Sequence, residues 1–461
     1  MTEWANQAGR LVLAQAHTFD EDNVVSYCIL ALFWFTQGSW RIAMLYKANA
    51  FALYQALGVK KNALPGESAL QAELRRRRFW ACFLLECHSM CELPAVRGIT
   101  DPYTIPLPWP GSALNAGYSP DPPLYLKSSQ DRLGSLYAHF IRGMHIWSSI
   151  ASLMRDAGGN GLDIHQLEED TTQWWNMARL SCTISDPWID DSMDYVHKLL
   201  IRLVYHQSML AINAWRVPLF SGSKHRSSFS TDAALQISAQ EALHHAEEIS
   251  GLAAHIMHFG SSDRILMALP SFPSYAAFCS CTIQLHFVHC KVPNLSEKFA
   301  TNISKSLQVL RGMAKYWKSA KLMAAFIDVL NLLHAQTDTH LETEPKFLTD
   351  AAPLRVPPSS YDYPLPSSML DFVPFFRPLN GDGVLPSDQE WPPDISIIRT
   401  RLKNKAQASQ RTALLTPSVD EFYNSHGLQR NESDFKPLVT LDDVELMDLF
   451  SGLGSASGYL S

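Results

Sequence analysis

Apolar side chains recur at spacings of three and four residues through much of residues 1–340. A clear example lies on one face of a helix with a 3.6-residue period: Ala43, Tyr46, Ala50, Leu53 and Leu57. Gly58 follows directly, and glycine takes the positive φ that ends many helices at the lowest cost. The pattern therefore predicts an amphipathic helix that ends near Leu57.

The next helix is predicted from Ser68 to Glu92, with Ser68 as its N-cap. Its stretch from Phe79 to Leu85 is apolar on every side, which is typical of a buried helix. Further helical patterns cover residues 130–157, 164–181, 191–216, 231–259, 275–291, 299–319 and 321–336. Sustained strand alternation bounded by hairpin turns is missing from the sequence. These patterns predict an all-α, multi-helical domain over residues 1–340.

Two proline-rich regions interrupt the helical pattern. Eight prolines fall between Pro94 and Pro123, and this spacing predicts a long ordered loop across the domain surface. Eleven more fall between Pro345 and Pro393, where few periodic runs remain. We therefore expect a largely disordered Pro-rich tail over residues 341–437 and a separate C-terminal segment over residues 438–461.

Composition and charge limit the function classes. Hydrophobic residues make up 46% of the 461 and charged residues only 18%, enough apolar material for a large core. The net charge of −7 argues against a general nucleic-acid binder, which needs clustered positive charge. The N-terminus lacks the basic-then-apolar pattern of an export signal, and no apolar run is long enough to span a membrane. All eight cysteines sit in apolar segments, so we expect free thiols in the cytosol or nucleus.

One segment, which runs Glu73-Leu-Arg-Arg-Arg-Arg-Phe-Trp80, combines an acidic residue with an arginine run and an aromatic–tryptophan pair. It resembles a known family, the fungal-specific transcription factor domain, which is the middle regulatory region of fungal zinc binuclear cluster regulators. The resemblance rests on an acidic residue, an arginine pair, an aromatic–tryptophan pair and a later acidic residue, which here are Glu73, Arg76, Arg77, Phe79, Trp80 and Glu86.

Looser similarity to the family extends over residues 1–340. It includes Gly38-Ser39-Trp40, Leu107-Pro108, Tyr205-His206, Leu210, Arg216-Val217-Pro218, Leu310, Trp317 and Ala320. The resemblance implies an all-helical nuclear protein that modulates transcription, often as a dimer, and that works with the transcription machinery or a coactivator. A metabolic or secondary-metabolite gene set is the candidate target.

The family's DNA-binding module is missing from the sequence. That module needs a repeated Cys-x2-Cys-x6-Cys pattern to surround two zinc ions, and no Cys-x2-Cys occurs here. We therefore expect no cofactor in this chain, and zinc only if an upstream exon supplies the cluster. DNA would be contacted through a partner, as a homo- or heterodimer, or through that missing module.

An Asp-Asp-x-x-Asp string offers an enzymatic alternative. Asp190, Asp191 and Asp194 have the spacing with which terpene synthases hold Mg²⁺ against a diphosphate. That chemistry needs a second metal motif on a facing helix, and the sequence does not supply one. The competing interpretation is an acidic helix start, because carboxylates stabilise the positive N-terminal end of a helix.

Cysteines and a histidine recur at helical spacing and are candidate metal ligands. His286 and Cys290 lie one turn apart, but Cys279 is too distant to share their ion; Cys87 and Cys91 lack two further ligands nearby. Small buried thiols and a hydrogen-bonded histidine are the favoured interpretation. Nucleophile elbow, metalloprotease, phosphate-loop and dinucleotide motifs do not occur, so we expect no catalytic set and no enzyme.

The run Arg75–Arg78 has two interpretations, nuclear import or structure. Its place at the start of a buried helix favours arginines that bond carboxylates or loop carbonyls. The better candidates for nuclear import lie in the expected tail and are Arg399, Arg401, Lys403 and Lys405. A plain solvated stretch is the alternative interpretation of these residues. For Glu86, at the end of the apolar run, we expect an arginine partner from among Arg76, Arg77 and Arg97.

The C-terminal segment interleaves acids and large apolar side chains. Its candidate activation residues are Leu441, Asp442, Asp443, Val444, Glu445, Leu446, Met447, Asp448, Leu449 and Phe450. Acids of this kind keep apolar groups solvated until a partner groove accepts them. The alternative is a terminal helix docked on the domain. Together these features predict a nuclear transcription regulator, with a Mg²⁺-dependent terpene-synthase-like enzyme as the alternative.

Overall fold

The computed structural model describes residues 2–58, 66–89, 102–118, 123–126, 135–155, 164–183, 192–217, 220, 232–259, 263–289 and 293–335. In chain order its α-helices are α1 (Thr2–Ala14), α2 (Glu21–Thr36), α3 (Trp40–Leu57), α4 (Ala69–Ser89), α5 (Gly111–Ala116), α6 (Leu136–Arg155), α7 (Ile164–Ala178), α8 (Ser192–Arg216), α9 (Asp232–Phe259), α10 (Asp263–Ala268), α11 (Phe272–Val288), α12 (Pro293–Met313) and α13 (Lys318–Ala335). No β-strand occurs in these ranges, and the all-α prediction is confirmed for them.

Helices α2 and α3 pack against each other, and α4 contacts both of them. Tyr54 of α3 donates a hydrogen bond to the Arg75 carbonyl near the start of α4, and Lys47, earlier in α3, pairs with Glu86 near the end of α4. Helix α4 is therefore antiparallel to α3. Gly58 ends α3 with a φ of 68°, the positive value that its sequence position predicts.

Helix α11 is the centre of the domain. Every residue from Phe272 to Phe287 is buried, and α8, α9, α12 and α13 pack around it. A helix without an exposed face must bond its polar side chains internally. The Ser280 hydroxyl lies 3.0 Å from that of Ser250 on α9, which in turn lies 3.0 Å from that of Ser306 on α12. The Gln284 amide donates to Ser250 over 2.9 Å.

The proline-rich stretch before Pro123 is more structured than predicted. The described part contains a 3₁₀ turn at Pro102–Thr104 and the short helix α5, where we expected a loop without helix. Gly117 ends α5 in the left-handed conformation, φ 69° and ψ 19°. Burial of Ile105, Leu107 and Trp109 explains the order of the stretch between these two elements.

Several predictions fall on residues that are not described. The Pro-rich tail 341–437, the segment 438–461 and the import candidates Arg399 to Lys405 all lie outside the described residues. None of the described helices is long and apolar enough to cross a membrane.

Candidate functional site: the arginine-rich helix α4

Helix α4 begins at a capping box. The Ser68 backbone N–H donates to the Gln71 side-chain oxygen over 3.0 Å, and the Gln71 N–H donates back to the Ser68 hydroxyl over 3.2 Å. These reciprocal bonds satisfy two of the free donors at the start of a helix. The predicted N-cap is therefore confirmed, and it fixes the register of the residues that follow.

Glu73 lies one turn into α4 and is fully buried. Its Oε2 accepts from Arg76 Nε over 3.0 Å and from Arg76 Nη2 over 2.8 Å, while its Oε1 accepts from Arg77 Nε over 3.0 Å. A buried carboxylate is tolerated only when charges and donors of this kind surround it. The backbone N–H of Trp109 adds a fourth donor at 2.9 Å.

The same residues attach α4 to the 105–110 segment. Arg77 donates to the Trp109 carbonyl over 2.8 Å, and Trp80 Nε1 donates to the Pro106 carbonyl over 2.8 Å. The Arg76 guanidinium lies over the Trp109 ring, 5.2 Å from its centroid, in a cation–π contact. We call this set, Glu73, Arg76, Arg77 and Trp80 with residues 106–109, the Glu73 network.

The two outer arginines also form ion pairs. Arg75 contacts Glu67 at 2.9 Å, and Arg78 reaches Glu21 at 2.5 Å and Asp22 at 2.8 Å at the start of α2. The prediction that this run bonds carboxylates and loop carbonyls is therefore confirmed. With their guanidinium groups engaged in this way, the four arginines do not form an open phosphate-binding patch.

The aromatic pair of the motif is part of the core. Phe79 and Trp80 are buried and meet edge to face at a centroid distance of 4.9 Å, and Phe79 lies 5.8 Å from the ring of Tyr54 on α3. Such pairs contribute about 0.5–1.5 kcal/mol beyond their buried area. The aromatic residues thus fix α4 against α3, while the Glu73 network fixes it against residues 106–109.

The expected partner of Glu86 is wrong. Its carboxylate lies 2.5 Å from the ammonium of Lys47 on α3, not beside Arg76 or Arg77, and Arg97 lies outside the described residues. Lys47 is 2% exposed and Glu86 is 30% exposed, so most of the burial falls on the lysine. Arg76 and Arg77 bond Glu73, one turn earlier on α4, so the partner of Glu86 near the end of α4 comes from α3 instead.

The candidate metal ligands are described only in part. Cys87, Cys279 and His286 are buried, while Cys91 and Cys290 lie outside the described residues. No group of three or more His, Cys, Asp or Glu side chains within the described residues is placed to hold a metal ion. The six described cysteines, Cys28, Cys82, Cys87, Cys182, Cys279 and Cys281, are free thiols, as predicted.

The aspartate string is described only at its end. Asp194 is exposed in the first turn of α8, where a carboxylate stabilises the helix N-terminus, whereas Asp190 and Asp191 lie outside the described residues. A shallow groove of about 560 Å³ runs along α7, and Glu168, Glu169 and Asn176 are among its lining residues. Glu168 at this groove pairs with Arg216 of α8 at 2.6 Å.

A buried pair of histidines was not predicted from the sequence. The Nδ1 atoms of His206 on α8 and His245 on α9 lie 3.0 Å apart, so one ring donates and the other accepts. Burial, with His244 nearby, lowers the pKa of His245 to about 3. Burial, followed by the effect of His245, also lowers the pKa of His206 well below its usual value. Both rings are therefore neutral at pH 7 in the folded protein.

The histidine pair lies under an aromatic stack. The rings of Trp175 on α7 and Tyr205 on α8 are parallel within 9°, with centroids 4.4 Å apart, and Tyr205 meets the His245 ring edge to face. Only the adjacency of Tyr205 and His206 is visible in the sequence, because the pairing depends on how α8 packs against α9.

The comparisons with known proteins add no relative. No protein-family model matches the chain, and neither a curated protein nor a solved structure matches it.

Proposed function

We propose that this chain is a transcription regulator of the fungal-specific transcription factor type. The observation that supports the proposal most is the Glu73 network: four of the six residues that carry the family resemblance lie together in one connected, largely buried arrangement. Glu73, Arg76, Arg77 and Trp80 all bond the same short segment or each other. Pairs at i, i+3 and i, i+4 are available on any helix, but the burial of Glu73 and the bond that it accepts from the Trp109 N–H place this network inside the domain.

In this proposal the helical domain has a regulatory role: it associates with another subunit or senses a signal. The arginines of α4 are engaged by Glu73, Glu67, Glu21 and Asp22, which argues against a direct role in phosphate binding. DNA would instead be reached through a dimer partner or an additional zinc-cluster module, which agrees with the net charge of −7.

The C-terminal part of the chain supplies the remaining functions. The basic residues between Arg399 and Lys405 would direct the protein to the nucleus, and residues 438–450 would recruit a coactivator or the transcription machinery. Within it, residues 441–450 interleave four acids with six apolar side chains, a composition that suits an apolar groove with basic surroundings.

A tethered-reporter experiment tests the proposal. The full chain is fused to a foreign DNA-binding domain, and transcription is measured from a reporter that carries the matching sites. We expect a severalfold increase over the DNA-binding domain alone, and loss of that increase when residues 438–461 are removed. A full-length fusion that is expressed, enters the nucleus and leaves the reporter at its basal level would contradict the proposal.

Point variants separate the roles of the two kinds of side chain. Replacement of Leu446, Leu449 and Phe450 together by Ala should abolish activation, since buried apolar area supplies most of the affinity. Asp448→Asn should only weaken it, because the acids mainly steer the encounter. If the segment is instead a docked terminal helix, the fusion is inactive and the triple-Ala variant lowers the melting temperature of the whole chain.

A further inference from the structure

Two thiols meet across the contact between α2 and α4. The Sγ atoms of Cys28 and Cys82 are 3.3 Å apart, although the residues are 54 positions apart in the chain. A disulfide bond has an S–S length of about 2.05 Å, so the sulfurs need to approach by little more than 1 Å to become bonded. Both cysteines are free thiols.

The surrounding contacts hold these two sulfurs in register. Arg78, one turn before Cys82 on α4, pairs with Glu21 and Asp22 at the start of α2. Arg78 contacts Glu21, and the later residue Cys82 contacts the later residue Cys28. The two helices therefore run in the same direction. The ion pairs lie about two turns before Cys28 on α2 and one turn before Cys82 on α4, and they keep the helices close enough for a covalent bond without rearrangement of the fold.

The two cysteines differ in access. Cys82 is 3% exposed, whereas Cys28 is only partly buried. The other described cysteines, Cys87, Cys182, Cys279 and Cys281, are all buried. Among the described thiols, a small oxidant in solution therefore reaches Cys28 first, and Cys82 is already beside it.

We propose that Cys28 and Cys82 form a reversible redox site that a hydroperoxide, such as hydrogen peroxide, oxidises to a disulfide between α2 and α4. This inference is independent of the proposed role in transcription. It rests on the sulfur–sulfur contact, the register of the two helices and the unequal exposure of the two thiols.

The reaction proceeds in two balanced steps. The Cys28 thiol loses its proton, the thiolate attacks one peroxide oxygen and the O–O bond breaks; Cys28 becomes a sulfenic acid, and the departing hydroxide takes up the lost proton to form water. Cys82 then attacks the Cys28 sulfur, the S–O bond breaks, and the departing hydroxide takes the Cys82 proton to form a second water. In total, two thiols and one hydrogen peroxide give one disulfide and two waters. A dithiol reductant reverses the change by thiol–disulfide exchange.

The protonation state of Cys82 suits its role in the second step, the attack on the oxidised Cys28 sulfur. Its hydrogen bond with Cys28, followed by burial, raises the pKa of the Cys82 thiol well above its usual value. It therefore stays protonated and unreactive towards the oxidant until its neighbour becomes an electrophile. In the cytosol or nucleus, where disulfides are transient, such a pair serves as a sensor rather than as a structural bridge.

Peptide mapping of the oxidised full chain tests the proposal. The purified chain is treated with a small molar excess of hydrogen peroxide, the remaining thiols are alkylated, and a non-reduced digest is examined by mass spectrometry. We expect the Cys28–Cys82 peptide pair to be the main cross-link and to disappear after treatment with dithiothreitol. The melting temperature should rise by several degrees on oxidation, because the bridge closes a long loop.

Variants provide the controls. Cys28→Ser, at the partly exposed position, should remove both the cross-link and the oxidative rise in melting temperature, whereas Cys182→Ser should leave both unchanged. Absence of the cross-link from the peroxide-treated, unsubstituted chain, preferential pairing of Cys28 with another cysteine, or conversion of Cys28 to a sulfinic acid while Cys82 stays a thiol would each overturn the proposal. Because Cys28 is partly exposed, its serine variant should fold normally.

Discussion

Replacement of Glu73 by Gln tests how α4 is held. The change keeps the size and shape of the side chain but removes its negative charge and replaces one acceptor oxygen by an NH₂ donor. That donor would face arginine N–H groups that now bond to the carboxylate at 2.8–3.0 Å. Arg77, which is 2% exposed, would keep its positive charge in the interior without the carboxylate that balances it.

The expected loss in unfolding free energy is about 3–5 kcal/mol, the range for removing one partner of a buried ion pair. Counting bonds gives a similar figure, because two or more charge-assisted hydrogen bonds are lost at about 1.5–3 kcal/mol each. Asp22→Asn is the matched control. Asp22 also pairs with an arginine of α4, but its side chain is 77% exposed, so its loss should cost less than about 1 kcal/mol.

Urea unfolding followed by far-UV circular dichroism measures both variants. A double-mutant cycle with Arg77→Gln adds a direct readout of the contact, and we expect a coupling of roughly 1–3 kcal/mol. If Glu73→Gln unfolds within about 1 kcal/mol of the unchanged chain, or no more easily than Asp22→Asn, the Glu73 network does not hold α4 in the way argued.

Three further predictions address other parts of the chain. Glu86→Ala should cost about 2–3 kcal/mol in urea unfolding and Lys47→Met clearly less, because the first removes the carboxylate beside a lysine that is 2% exposed, whereas the second leaves a carboxylate that is 30% exposed; equal costs would contradict this. Between pH 6.5 and 3 His245 is protonated in the unfolded chain but stays neutral in the folded protein, so acidification should lower the free energy of unfolding, by about 2 kcal/mol at pH 5 from His245 alone. His245→Asn should flatten this pH dependence, and an unchanged pH dependence would be evidence against a neutral pair. Mg²⁺ with a prenyl diphosphate should leave the melting temperature unchanged, whereas a rise that vanishes in Asp190→Asn would support the terpene-synthase alternative.

The helices could be predicted because the hydrophobic period that specifies a helix lies within a short stretch of sequence. The periods that predict helices over 191–216 and 231–259 match α8 and α9 within one residue at each end. The prediction of 299–319 was shifted, since α12 begins at Pro293, a residue suited to the first turn, and ends at Met313. Trp317 follows in the turn because its indole N–H reaches the Leu269 carbonyl, a contact that no local pattern indicates.

The side-chain pairings between helices were less predictable. The motif in α4 identified Glu73 and its arginines, because their partners lie one turn away on the same helix. Lys47 was missed as the partner of Glu86, since the two meet only through the packing of α3 on α4. The Cys28–Cys82 contact depends in the same way on how helices pack, and sequence spacing contains no signal for it.

Chromatin immunoprecipitation of the epitope-tagged full chain, from the cells that express it, tests the proposed function most directly. Cross-linking retains DNA that is reached through a partner as well as DNA that is bound directly. We expect enrichment at a discrete set of promoters whose transcripts change when the gene is deleted. Recovery of DNA no higher than from untagged cells, together with unchanged transcripts after deletion, would contradict it.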